Sequence, residues 1–156
     1  MAQARVSVGD PAPDFTLPRQ DGGEFHLGDA LGHKPVVLYF YPRDDTPGCT
    51  AEACGFRDRY AAFVEVGAEV VGVSRDTVES HGRFAHRYHL PFPLLSDPEG
   101  RVHRLYGVPR ALGGLLPGRV TYVIDGAGIV RRVFDSIVPT GHIAAALTGV
   151  RGAGGA

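Results

Sequence analysis

Residues 36–54 read VVLYFYPRDDTPGCTAEAC. The uninterrupted apolar and aromatic run from Val36 to Tyr41 is the pattern of a strand covered on both faces, and Pro42 stops it. Thr46 is a favoured N-cap residue. Pro47 suits the first helical position, because its missing N–H would have had no intrahelical partner there. That register puts Cys49 in the first turn, where unpaired backbone N–H groups and the positive end of the helix dipole favour a thiolate. The polar turn formers before Cys49 are expected to keep it near the surface.

The same pattern extends in both directions. After Cys49, Ala53, Phe56, Tyr60, Phe63 and Val64 recur at spacings of three and four, which predicts one amphipathic helix from Pro47 to about Val66, ended by Gly67. Val70–Val73 reads as the next buried strand, residues 78–88 as a helix, 92–95 as a short strand with proline at its edge, and 99–106 as a short helix. Val120–Ile124 and Ile129–Phe134 read as strands joined by a turn at Asp125-Gly126-Ala127-Gly128, and 142–147 as a closing helix. Before the opening stretch, FTL and FHL flank Asp21-Gly22-Gly23 and read as an N-terminal hairpin. The last six residues, RGAGGA, are expected to fray. Strands alternating with helices, then a late hairpin, imply one α/β domain over 1–156 with a mixed central sheet covered by helices.

Composition narrows the function. The 156 residues are 44% hydrophobic, enough for one sizeable core. Sixteen Lys and Arg against 17 Asp and Glu give a net charge of −1, so no basic surplus points to nucleic acid or an anionic membrane. The N-terminal residues lack the basic segment and apolar run of a secretory signal, and no stretch approaches a membrane span, so the cytoplasm is the expected compartment. In a reducing compartment, two cysteines close in sequence are more often redox-active than a permanent staple.

The spacing of Cys49 and Cys54 has a mechanical consequence. Five residues on an α-helix separate two Cα atoms by roughly 8.6 Å, whereas a disulfide tolerates at most about 7 Å. The pair can bond only if the first turn and a half unwinds. A zinc site is the sober competitor, but Cys-x4-Cys needs two further ligands, and His81, His86 and His89 lie on a different predicted element.

With those residues in hand, the sequence resembles the peroxiredoxins, thiol peroxidases of the thioredoxin-like fold, in their bacterioferritin-comigratory or Q-type class. The motif that carries the resemblance is Pro42-x3-Thr46-x2-Cys49 with a second thiol at Cys54; GDPAPDFTL, VVLYFYP, LSDPEG and RVTYVID support it over roughly residues 8–148. The resemblance implies that Cys49 is the peroxidatic thiolate, Thr46 the hydroxyl that orients the peroxide, Pro42 a shield limiting water at the sulfur, and Cys54 the resolving cysteine of an intrachain disulfide. Arg119 read from its neighbours alone is a solvated arginine at a strand entrance; the resemblance makes it the guanidinium of the pocket. Glu52 fits the class motif without an assigned step. The resemblance further implies peroxide substrates, a dithiol reductant such as thioredoxin, a monomer or weak homodimer, and neither cofactor nor metal.

Ionising the thiol is not enough for catalysis. Lowering a thiol pKa from about 8.5 to about 6 raises its thiolate fraction at pH 7 about 30-fold. The accompanying loss of nucleophilicity removes roughly 10- to 18-fold of that gain. The remaining acceleration must come from groups that bind the reacting oxygens as the O–O bond breaks. Two rivals share the early chemistry: a thioredoxin-like disulfide reductase, which calls for C-x-x-C, and a noncatalytic redox sensor, which oxidises once and stops. In the segment GVPRALGGLLPG, residues 107–118, the glycines Gly113 and Gly114 read as a mobile loop.

Overall fold

The computed structural model describes residues 5–32, 34–111 and 116–154. The chain enters through an antiparallel hairpin of β1 (Thr16–Pro18) and β2 (Glu24–His26), as its turn residues predict, and then makes a short helix α1 (Leu27–Leu31) that the sequence pattern does not announce. Strand β3 (Val36–Phe40) follows, then helices α2 (Pro47–Asp58) and α3 (Tyr60–Glu65), β4 (Glu69–Ser74), α4 (Val78–Tyr88), β5 (Leu94–Ser96) and α5 (Arg101–Tyr106). A two-residue pair, β6 (Arg110–Ala111) with β7 (Leu116–Pro117), precedes β8 (Val120–Ile124), β9 (Val130–Asp135) and α6 (His142–Gly154).

The main sheet runs β5-β4-β3-β8-β9. Strand β3 pairs parallel with β4 and antiparallel with β8, and β9 returns antiparallel on β8, so the sheet is mixed and β3 sits at its centre. Central placement explains the unbroken apolar run. Val36, Leu38 and Phe40 face one core with the N-terminal hairpin and α5, while Val37, Tyr39 and Tyr41 face a second core with α2, α3, α4 and α6. Gly72 in β4 makes the second core possible, since a Cβ there would stand 2.9 Å from the Tyr39 ring and from Leu94. Tyr39 fills that space and stacks on Phe56 of α2 with centroids 4.6 Å apart.

Several expected boundaries move. The single helix from Pro47 to Val66 is two, because Arg59 leaves helical geometry (φ −105°, ψ 10°) between α2 and α3. Apolar spacing could not register this: a one-residue bend leaves both segments with the same face inward, and Phe56 and Phe63 still pack at 5.7 Å. Val64 is 55% exposed, contrary to its place in the apolar series. Strand β5 starts two residues later than expected, after Pro93, which has no N–H to give the ladder. The closing helix continues past Leu147 to Gly154 with Val150 fully buried, so 151–154 are helical instead of frayed. The loop expectation at Gly113 and Gly114 lies outside the described residues, as do Gly155 and Ala156.

Candidate active site

Helix α2 starts where the sequence places it, with Thr46 at the N-cap, Pro47 at the first helical position and Thr46 O accepting from the Thr50 N–H at 2.9 Å. The Thr46 hydroxyl does not cap the helix. It donates to the backbone carbonyl of Arg43 at 2.9 Å, which commits its proton and leaves the oxygen free to accept. Cys49 is only 1% exposed, a correction to the surface position expected from its polar neighbours. The reason is the helix period: Cys49, Glu52, Ala53 and Phe56 form one inward stripe, and turn composition says nothing about which way a side chain points.

Arg119 comes from the two residues between β7 and β8 and is 5% exposed, not solvated. Three groups act on its guanidinium. Nε donates to the carbonyl of Ile137 at 3.0 Å, Nη1 donates to Glu52 Oε1 at 2.6 Å, and Cys49 is near enough to act on the charge. Nη2 lies directly over Gly48, where a Cβ would stand 3.0 Å away. Burial works against the arginine's charge, but Glu52 and Cys49 outweigh it and raise the pKa above its ordinary value. Thus the structure brings Thr46, Cys49 and Arg119 to the first turn of α2, with Glu52 one turn further along the same stripe.

Glu52 is fully buried, and burial pushes its carboxyl up to about 8 against the pull of Arg119. Its Oε2 has no hydrogen-bond partner; the Nδ1 of His142, first residue of α6, is 3.5 Å from it. His142 is itself completely buried, with Nε2 at 2.8 Å from the carbonyl of Ser136 and Nδ1 at 2.8 Å from Thr121 Oγ1. Desolvation lowers its pKa. Sequence reasoning missed His142 and Thr121, because nothing local in either stretch marks a partner so far away along the chain.

A second buried network holds the loop between β3 and α2. Asp44 accepts from Tyr41 OH (2.6 Å), Ser80 Oγ (2.8 Å) and His81 Nδ1 (2.7 Å), while its own N–H donates to Asp76 Oδ2 (2.8 Å). Asp44, Asp76 and His81 present ligand atoms within 4.8 Å of one another, but internal donors already occupy those carboxylates, and His81 Nε2 is 2.8 Å from the Leu95 carbonyl. The network reads as a brace. It tethers Asp44, two residues before Thr46, to β4 and α4, and Asp45 takes up the resulting turn with φ 61°. Pro42 is half-buried at the head of this loop. Cys54 is half-buried in α2 and both thiols are free, so the pair sits on one intact helix. His86 lies in the last turn of α4 and His89 caps it in the left-handed conformation.

Comparisons with known proteins point to a single family. The family model described as AhpC/TSA matches residues 8–133. The chloroplastic peroxiredoxin Q of Sedum lineare is 52% identical over 141 residues, covering 90% of this chain and 75% of that protein. The peroxiredoxin Q of Triticum aestivum is 51% identical, and there the chain spans 64% of its relative's length. Among solved structures, Mycobacterium tuberculosis peroxidoxin BcpB superposes with a TM-score of 0.88 at 42% identity, over 95% of this chain and 98% of the other. The bacterioferritin comigratory protein of Xanthomonas campestris, whose trapped intermediate and ligand complexes concern alkyl peroxide reduction, gives a TM-score of 0.83 at 29% identity, over 97% and 99%.

Proposed function

The chain belongs to the AhpC/TSA family and is a thiol peroxidase of the peroxiredoxin Q type, and from that premise we propose that Cys49 is its peroxidatic thiol, acting on hydrogen peroxide and organic hydroperoxides. The observation that carries the assignment is the Arg119 guanidinium, buried and held by Ile137 and Glu52 over Gly48, the residue before Cys49. Such a group binds the peroxide oxygens in a low-dielectric site with no reorganisation at the moment of reaction. Thr46 accepts from the peroxide O–H, its own proton being held by Arg43, and the Pro42 ring limits water at the sulfur.

The thiolate attacks the distal peroxide oxygen and the O–O bond breaks. The leaving oxygen takes a proton and departs as water or an alcohol, with sulfur oxidised to a sulfenic acid. Condensation with the Cys54 thiol releases water and forms the disulfide. A dithiol reductant, for which thioredoxin is the candidate, returns two electrons and two protons. Because α2 is intact between the cysteines, this second step needs its first turns to open. The near-neutral chain suits small substrates and gives no reason to invoke nucleic acid or a membrane surface, and we read it as a monomer or weak homodimer. Among the described residues no helix is long and apolar enough to cross a membrane. The cycle needs a reducing compartment; the cytoplasm meets that need, and so does the plastid after which the plant relatives are named.

Stopped-flow peroxide consumption with a thioredoxin system tests the assignment. Repeated turnover that Cys49→Ser abolishes is the expected result. One equivalent consumed followed by arrest would instead identify a redox sensor, and turnover surviving in Cys49→Ser would end the proposal.

A further inference from the structure

Resting on the peroxidase reading above, we propose that His142 is a positioning residue: together with Glu52 it holds one shared proton that fixes the carboxyl group behind Arg119 and leaves the guanidinium charge available to Cys49 and the peroxide. The hydrogen-bond directions point to it. The Ser136 carbonyl can only accept, so His142 Nε2 carries a hydrogen and donates it at 2.8 Å. In the neutral ring Nδ1 is then an acceptor with a single lone pair, which either the Thr121 hydroxyl, 2.8 Å away, or a protonated Oε2 of Glu52, 3.5 Å away, can fill. Glu52 Oε1 is taken by Arg119, while Oε2 is buried without a partner and faces Nδ1 at 3.5 Å. A bare carboxylate oxygen sealed from water in this way is costly.

A single proton resolves the position. It resides either on Oε2, directed at Nδ1, or on Nδ1 as an imidazolium facing a carboxylate. In both arrangements Arg119, Glu52 and His142 together carry one net positive charge, which matches one thiolate. When the proton leaves, the trio becomes neutral and Glu52 competes with thiolate and peroxide for the guanidinium. The charged and titratable groups that act electrostatically on this cluster are Arg119 at the entrance of β8, Cys49 on α2, Tyr39 on β3 and Asp135 on β9. Tyr39 is shifted well above its usual range by burial and Arg119 is raised, so neither titrates between about pH 7 and 9. Thiolate formation only grows with pH and produces an acid limb. An alkaline limb near pH 8, where burial places Glu52, therefore reports the shared proton.

Two variants test this on the full-length enzyme. Glu52→Gln keeps an acceptor for Arg119 and a donor for His142 but cannot ionise; whatever its kcat/KM for peroxide at pH 7, the alkaline limb of its pH profile should vanish. His142→Phe removes Nδ1, weakens the hold on the proton and moves the limb to lower pH, with kcat/KM at pH 8 falling about tenfold. Retention of the limb in Glu52→Gln, or an unmoved limb with full activity in His142→Phe, overturns the proposal. Nitrogen-15 NMR of the histidine ring gives a readout independent of turnover: a protonated Nε2 and an Nδ1 whose shift titrates in the wild type and not in Glu52→Gln. A chain with that signature and no peroxidase activity would refute the functional reading and leave the shared proton standing; peroxidase activity with an Nδ1–H tautomer and a flat titration would do the reverse.

Discussion

Arg119 serves a carbonyl and a carboxylate at once through different nitrogens while its third lies over Gly48, and a point charge cannot copy that fork. Arg119→Lys should lower kcat/KM for peroxide by about 10²–10³, as measured by stopped flow, with the fold intact by circular dichroism. Gly48 makes the arginine's approach possible. A Cβ at this position would meet Nη2 at 3.0 Å, so Gly48→Ala should displace the guanidinium and cost about tenfold in kcat/KM, a displacement of the kind to which catalysis is sensitive. Cys54 has a cleaner signature. After one equivalent of peroxide, intact mass should show loss of two hydrogens in the wild type and gain of one oxygen in Cys54→Ser; gain of oxygen in the wild type would refute the intrachain route.

Helix α2 has to serve two ends. Intact, it aims Cys49 inward beside Arg119, but the same geometry keeps Cys54 about 8.6 Å away along the helix. Hydrogen exchange should therefore show the amides of 50–54 losing protection on oxidation, with no such loss in Cys54→Ser; unchanged protection would mean that the helix does not open. What opens must be anchored at its upstream end, and the Asp44 brace supplies that anchor through Tyr41, Ser80 and His81. Replacing His81 with Leu leaves a buried carboxylate short of a donor. The expected cost is about 3 kcal/mol or more by urea denaturation, accompanied by reduced kcat/KM as Thr46 loses its fixed position.

The molecule as a whole is a sheet between two cores, joined at its edges by buried carboxylates. Asp97 accepts from the backbone N–H groups of Val102 and His103 and is 2.7 Å from His103 Nδ1, fastening the start of α5 to the end of β5. Burial opposes its charge, but those bonds prevail and lower its pKa below the ordinary 3.8. The folded state thus binds this proton less readily than the unfolded chain. The stabilisation is complete above the unfolded value and is lost as pH falls through the depressed one. Denaturation midpoints should drop below about pH 4, and Asp97→Asn should flatten that slope while lowering stability at pH 7. Sedimentation at micromolar concentration should return a monomer or a weakly associating dimer.

The opening stretch fixed a great deal without coordinates. An apolar run with no polar interruption demands cover on both faces, so VVLYFY marked β3 as a strand buried on both sides, and the chemistry of Thr46 and Pro47 set the start of α2 to the residue. These are local rules of backbone sterics and hydrogen bonding, and sequence carries them directly. Resemblance, not local pattern, brought in Arg119; the fold then placed it beside Cys49. The inward turn of Cys49, the hydroxyl of Thr46 given to Arg43 and the meeting of Glu52 with His142 were decided only by packing. Each depends on residues from other parts of the sheet and helices arriving at one point, and no periodicity within a segment encodes where a distant segment will lie.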